Sequence, residues 1–407
     1  MNKMSYQKQL VISAWETGIA AVEGKSRVQD VLNQDDIRQI DQILAIGKAA
    51  GSMCEGAMDV YGYDTPALLI TKYDHTPKSL QVCSNLKVVE SGHPIPDENS
   101  LLAGQCAIDF VKSAGSTSKL LVLVSGGASA LAEDLVGEMS LEELQNFTSK
   151  LIAEGFDITQ INTRRQQISN IKGGKLLRNF HGHSIVIYCI SDVQGNNIGF
   201  IGSGIANPDA VFQNSVEHVF ARVIADNNTA RNAIFQLAKT IDIPVIENNE
   251  TLYDDLYKVS DRIVANLIDG QDGLYILGGE PTVQLPDNPG QGGRNQSLAL
   301  SIAIGIKNQP NIALIVAGTD GTDGPTDAAG GVVDGESFYP LEKAEEALAQ
   351  ANAGPFLEEN ECLFKTGPTG TNTMDLVIAL KLTDESSRLA LEKFNRLNKD
   401  VLAKEIA

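Results

Sequence analysis

Residues Leu120–Ser129 read LLVLVSGGAS. An unbroken apolar run of this length suits a strand buried on both faces of a sheet better than a helix, which needs more residues to nucleate. Directly behind it stand two glycines flanked by serines. The glycines expose backbone N–H groups, and a helix opening near Ala128 adds the positive end of its dipole, so Ser125, Gly126, Gly127, Ala128 and Ser129 suit an anion. A plain tight turn between strand and helix is the blander reading of the same residues.

Outward from this stretch, short apolar runs recur at Ile43–Ile46, Ala67–Ile70, Ile185–Ile190, Leu274–Leu277, Ile312–Val316 and Leu376–Leu380. Stretches of helical periodicity lie between most of them, as in Ser140–Glu154 and Gln296–Ile306, and Ser140 with Glu143 forms a capping-box start. Buried strands alternating with helices predict an α/β fold with parallel sheets covered on both faces. At 407 residues the chain exceeds one ordinary core, so two domains are expected. A change of character at Ile241–Glu250 (IDIPVIENNE) places the boundary between 1–240 and 241–407, although the same residues read equally well as another short strand.

The loops behind the strands carry the chemistry. Gly47-Lys48 follows the first, Ser191-Asp192 follows Ile190, Gly278-Gly279-Glu280 follows Leu277, and GTDGTDGPTDAAGG (Gly318–Gly331) follows Ala317. In open α/β sheets ligands bind outside the carboxyl ends of the strands, which is where these loops should lie. Lys48 can serve as a point charge for a phosphate or carboxylate, or be a solvated lysine at a helix start. Asp320, Asp323 and Asp327 offer the hard oxygens that hold Mg²⁺ beside phosphates. Gly290–Gln296 (GQGGRNQ) opens a helix with Arg294 in its first turn, where the macrodipole disfavours a cation, so an anion is expected at that helix end. Arg164, Arg165 and Lys172 stand together, at least one of them on a solvated face. His93 and Asp97 flank two prolines, and Gly367–Asp375 (GPTGTNTMD) brings hydroxyls, an amide and a carboxylate before the last strand.

Composition excludes several classes. A formal charge of −20 argues against nucleic acid and anionic membranes as partners. No apolar run reaches the roughly 18–20 residues that span a bilayer, and the N-terminus lacks a secretory h-region. Five scattered cysteines read as reduced thiols, which together with the missing leader predicts a cytoplasmic protein. Gly24-Lys25-Ser26 lacks the spacing of a Walker motif. Gly202-Ser203-Gly204 and Gly290-Gln291-Gly292 do not complete a dinucleotide fingerprint. His181-Gly-His183 could suggest a metal, but it precedes its strand and so lies at the wrong end of the sheet.

Taken jointly, the loops resemble the glycerate 2-kinase family, whose C-terminal part is called the MOFRL domain. The resemblance runs from Ile46 to about Leu380, on IGKAA at Ile46, ESGHPIPDE at Glu90, SGGASAL at Ser125, IKGGKL at Ile171, SDV at Ser191, GGRNQ at Gly292, GTDGTDGPTDAAGG at Gly318 and TGPTGTN at Thr366. It implies a large Rossmann-like, doubly wound N-terminal domain, a smaller C-terminal α/β domain, and an active site in the cleft between them. It also implies ATP- and Mg²⁺-dependent phosphorylation of the 2-hydroxyl of D-glycerate, a small-molecule substrate. The sequence departs from the family at Gln194, Asn196 and Asn197, which replace a proline and acidic residues, and at Ile205-Ala206. A related longer sugar acid, hydroxypyruvate reduction and non-catalytic sugar-acid binding therefore stand as alternatives. A homo-oligomer is compatible with the sequence.

Phosphoryl transfer is mostly positioning plus charge neutralisation. Lys48, Asp192 and Arg294 are the expected catalytic residues. Ser125–Ser129, Gly292, Gly293, Asp320, Thr369 and Asn372 are expected to bind the nucleotide, and Asp192, Asp320 and Asp323 the metal.

Overall fold

The computed structural model describes residues 4–153, 158–211, 216–337 and 341–405. The chain folds as two units, one made of Val22–Asp226 with Gly370–Thr373, the other of Met1–Ala21, Asn227–Thr369 and Met374–Ala407.

The Val22–Asp226 unit is built on six strands, β1 Gln42–Ile46, β2 Ala67–Lys72, β3 Leu86–Ser91, β4 Lys119–Val124, β5 Ser184–Ile190 and β6 His218–Ala225. All pair in parallel, in the order β3-β2-β1-β4-β5-β6. This is the doubly wound order, and its direction reverses between β1 and β4. The apolar runs of the central strands are buried throughout. One face packs Leu44, Ile46, Leu68, Ile70, Val122 and Val124 against Ala103, Ala107 and Val111 of helix Glu98–Lys112. Helices Gly24–Gln34 and Ala50–Tyr61 pack on each other and on β1, β2, β4 and β6. Strands β3 and β6 went unread in the sequence because they are edges. Their burial alternates or breaks, and polar residues such as Lys87, Glu90 and Arg222 interrupt the apolar pattern.

The second unit carries β7 Val245–Glu250, β8 Gly273–Gly279, β9 Ile312–Gly318, β10 Gly330–Asp334, β11 Leu363–Phe364 and β12 Asp375–Lys381. Their order is β11-β10-β9-β12-β8-β7, and only the β7–β8 pair is parallel. The all-parallel expectation therefore fails for this sheet, because β12 runs antiparallel between β8 and β9. That arrangement places Asp375, the first residue of β12, opposite both Gly279 and Gly318. Helices Leu256–Asp269 and Arg294–Gly305 cover one face. Tyr6–Ala20 and Asn227–Thr240 pack against strands of this sheet and against each other, and Trp15 meets Phe364 edge-on at 5.1 Å.

The division differs from a split at 240/241. Val245–Glu250 is a strand, the alternative reading of that segment, while the chain passes between units at 226/227 and the N-terminal helix belongs with the second unit. Helix Leu141–Ala153 has the expected capping box, with Ser140 N–H donating to Glu143 Oε2 at 2.7 Å and Glu143 N–H to Ser140 Oγ at 3.2 Å. Glu154 lies outside the described residues. Among the described residues no helix is long and apolar enough to cross a membrane.

Candidate active site

In the first unit the loops behind β1 and β4 are stitched together at the point where strand order reverses. Lys48 N–H donates to Gly126 O at 2.9 Å and Ser125 N–H to Ile46 O at 3.0 Å. Helix Ala50–Tyr61 has no local side-chain cap, but Ser125 Oγ accepts from Ala49 N–H at 2.9 Å and supplies one from the neighbouring strand end. Thr71, which the sequence reading did not single out, donates from Oγ1 to Gly47 O at 3.0 Å. Gly47 has φ +134° and lies so close to Ser125 that a Cβ would stand 2.2 Å from Ser125 Oγ. The backbone angle and the contact both demand glycine.

The glycine pair brings the polar side chains in. A Cβ on Gly126 would fall 1.6 Å from Asp192 Oδ2 and 2.2 Å from Asn372 Nδ2. On Gly127 it would meet Lys48 Cγ at 2.9 Å and His93 Nε2 at 3.2 Å. Lys48, His93, Asp192 and Asn372 are therefore gathered against one bare stretch of backbone. Asn372 Nδ2 donates to Asp192 Oδ2 at 3.1 Å. Its segment is held by Gly24 N–H, which reaches Gly370 O at 3.0 Å, and by Ser52 Oγ, which donates to the same carbonyl. Ser129 Oγ and Ser203 Oγ share a hydrogen bond of 2.7 Å, and Ser203 donates to Asn162 Oδ1 at 2.9 Å, a chain that sequence spacing gave no means to find. The helix behind this loop is only Ala128–Leu131, so the dipole invoked for it is that of one turn.

The substituted residues beside Asp192 build their own loop. Asn196 Nδ2 donates to Asp226 Oδ2 at 2.5 Å, Asn197 Oδ1 accepts from Gly199 N–H at 2.8 Å, and Gln194 is exposed. Of the basic cluster, Arg164 is exposed, whereas Lys172 is fully buried in an ion pair with Glu133. Burial pulls the Lys172 ammonium below its usual range, against the pull of Glu133.

In the second unit, Asp323 sits at the head of helix Arg294–Gly305. Its carboxylate accepts from Asn295 N–H at 3.1 Å, Gln296 N–H at 2.8 Å and Gln296 Nε2 at 3.1 Å. The helix end where an anion was expected thus receives a carboxyl side chain of the protein. It explains Gly293, where a Cβ would stand 2.2 Å from the Asp323 carboxyl carbon. Burial pushes the Asp323 carboxyl up to about 7.

Arg294 is clamped by two carboxylates, donating from Nε to Asp375 Oδ2 at 2.6 Å and from a terminal nitrogen to Glu280 Oε1 at 2.8 Å. Asp375 also accepts from Asn295 Nδ2 at 2.8 Å. Neither partner was assigned to the site from sequence, though Asp375 closes the GPTGTNTMD loop. Asp320 Oδ1 accepts from Thr322 N–H at 2.9 Å, shaping the turn. Thr369 Oγ1 donates to Thr319 O at 2.5 Å. Gly292 lies against the start of helix Ala353–Glu359, with a Cβ position 3.2 Å from Gly354 N. Asp327 stands apart, exposed and paired with Lys365 at 3.3 Å.

Residues 10–237 match the family described as a domain of unknown function, DUF4147, and residues 269–375 match the MOFRL family. A D-glycerate 2-kinase of Thermotoga maritima is 32% identical over 413 residues, covering 92% of this chain and 98% of its own length. The chain belongs to the glycerate 2-kinase family. A glycerate 2-kinase of Pyrococcus horikoshii is 33% identical over 389 residues, 83% of this chain and 86% of that one. The crystal structure of a Thermotoga maritima glycerate kinase superposes with a TM-score of 0.79 at 30% identity, covering 92% of this chain and 99% of that chain. The family resemblance found in the loops thus extends over 92% of the chain.

Proposed function

We propose that this chain transfers the γ-phosphoryl group of ATP to the 2-hydroxyl of D-glycerate, giving 2-phosphoglycerate and ADP. One observation carries the reading beyond family membership: a lysine, a bare glycine loop and a carboxylate converge where the parallel sheet reverses strand order. The backbone of Ser125–Ser129 cradles phosphate oxygens, and Lys48 supplies the point charge beside them. Asp192, oriented by Asn372, takes the proton of the attacking hydroxyl or holds the metal. The glycerate oxygen forms its bond to phosphorus as the bond to the β-phosphate oxygen breaks.

Mg²⁺ fits the hard-oxygen donors at Asp192, beside a glycine loop with no room for a side chain. When bound it neutralises charge on the transferring phosphates. In the second unit, Asp320, Thr369, Gly292 and Gly293 are our nucleotide-binding candidates, with Asp320 also a metal candidate. Asp323 we assign to the helix cap, since its oxygens are already engaged, and Arg294 to a charge held in place by Asp375. Five unpaired cysteines, four of them buried, support a reducing, cytoplasmic setting.

Coupling the product to enolase with no mutase present tests the proposal. Enolase turnover with D-glycerate, ATP and Mg²⁺ is expected. ADP release without enolase turnover moves the phosphate to another hydroxyl, and ADP release only with a longer acid changes the substrate. The reductase alternative gains nothing from the fold. Gly202 and Ser203 both have φ +55° inside a 3-10 turn, not the strand-to-helix turn of a dinucleotide fingerprint.

A further inference from the structure

The molecule carries a second cluster of ligand-type side chains at the opposite end of the parallel sheet. We propose that His183, Glu217 and His218 form a binding site for a divalent transition-metal ion of the zinc class. Each offers one ligand atom, and these atoms all lie within 4.8 Å of one another. His183 Nδ1 and Glu217 Oε2 are 3.5 Å apart. A tetrahedral zinc with ligands at about 2.0–2.1 Å has ligand–ligand edges of roughly 3.4 Å, so that pair is already at coordination spacing. The two imidazoles meet edge to face with ring centres 5.5 Å apart.

The backbone beneath the cluster is fixed. His183 N–H donates to Ser118 O at 2.8 Å and Glu217 N–H to His183 O at 3.1 Å, and the β5–β6 register opens with Ser184 opposite His218. Ligands 34 residues apart in sequence are thus placed together by strand pairing, which no local spacing motif could reveal. Two imidazoles and one carboxylate favour zinc, nickel or copper over Mg²⁺, which prefers oxygen ligands and keeps its waters. Three protein ligands leave a position open to water. The side chains of His183 and Glu217 are 36% and 66% exposed, so an ion reaches them without any opening of the fold. Bound metal would clamp the edge strand β6 to β5. The cluster lies at the amino ends of these strands, whereas Lys48, Ser125–Ser129 and Asp192 lie at the carboxyl ends, so the inference stands independently of the kinase reading.

Equilibrium dialysis of the full chain against Zn²⁺ tests it, with His183→Ala, His218→Ala and Glu217→Gln variants and His181→Ala as the control. The wild type is expected to hold one zinc per chain in the presence of excess Mg²⁺. Each histidine variant should bind at least about tenfold more weakly and Glu217→Gln measurably so, while His181→Ala behaves as wild type. Unchanged circular dichroism and unchanged phosphoryl transfer in the variants show that the fold is retained. Failure of the wild type to take up zinc overturns the proposal. So does uptake that His183→Ala and His218→Ala leave unchanged, or that His181→Ala weakens equally.

Discussion

Gly126 is where a single missing atom decides which side chains can approach the backbone. Its backbone does not occupy the left-handed region, so alanine is conformationally allowed, yet a Cβ would overlap the Asp192–Asn372 pair. Gly126→Ala should therefore fold and melt like the parent while losing about 10²-fold in kcat/KM, the usual effect of displacing a reacting group by an ångström. Lys48→Met should lose roughly 10²–10³-fold with the same unchanged melting, because it removes one preorganised charge. Near-parental rates in the enolase-coupled assay for both variants would remove these residues from the site. The placement of Lys48 and of the glycine loop behind strands was legible because a strand, a turn and a helix follow one another in sequence. The capping role of Asp323, read from sequence as a metal ligand, was not, because the helix that it caps begins 29 residues upstream at Arg294. Its carboxyl is raised by burial from 3.8 to about 7, so the folded state keeps a proton that the unfolded chain has released. The associated stability is present in full below about pH 4 and is lost as pH rises through about 7. Asp323→Asn, which cannot ionise, should flatten that part of the stability–pH curve in denaturant titrations. An equal slope in parent and variant would mean that Asp323 is ionised throughout.

At the scale of elements, the central strands of the parallel sheet were legible and its edges were not. A strand buried on both faces must be apolar throughout, so β1, β2, β4 and β5 stand out. β3 and β6 carry polar residues because solvent reaches them. β10 was hidden for a different reason. Gly330 and Gly331 read as the end of a loop but are strand residues, and Gly330 lies so close to β9 that a Cβ would stand 1.8 Å from Val316 O. Strand direction is not written in hydrophobic pattern at all, so the apolar run of β12 does not reveal that it is antiparallel to β8 and β9. Its reversal delivers Asp375 to Arg294. The consequence is that Arg294→Ala affects stability as well as rate. Asp375 is 2% exposed and would be left with Asn295 Nδ2 as its side-chain donor among the described residues. Breaking a buried pair costs about 3–5 kcal/mol, and the low end applies because the guanidinium is one-third exposed. Urea unfolding should show a loss of about 3 kcal/mol for Arg294→Ala and a smaller one for Arg294→Lys, which keeps the charge without the fork. A parental unfolding midpoint in Arg294→Ala would show that Asp375 finds another partner.

At the scale of the whole molecule, the number of units could be read from chain length, but their membership could not. Compositional change along a sequence locates a boundary only when each unit is one continuous segment. Here Tyr6–Ala20 packs on β9, β12 and helix Asn227–Thr240, and Gly370–Thr373 belongs with the parallel sheet. A cut at 240/241 would therefore strand two helices away from the sheet that buries them, leaving Leu10, Val11, Trp15, Ile19, Ile234 and Ala238 without cover. Burying one large aliphatic or aromatic side chain is worth about 1.5–3 kcal/mol, so several such losses exceed what a surface rearrangement recovers. A fragment of residues 22–226 keeps all six parallel strands and their helices, and lacks only the short Gly370–Thr373 contribution. It should be soluble and unfold cooperatively in urea, whereas residues 1–240 should bind a hydrophobic dye strongly and aggregate. Adding the two helices brings more native sequence and yet should worsen the fragment, an outcome that a boundary at 240/241 does not allow. If residues 1–240 instead give the more cooperative transition, the N-terminal helix and Asn227–Thr240 contribute to the first unit.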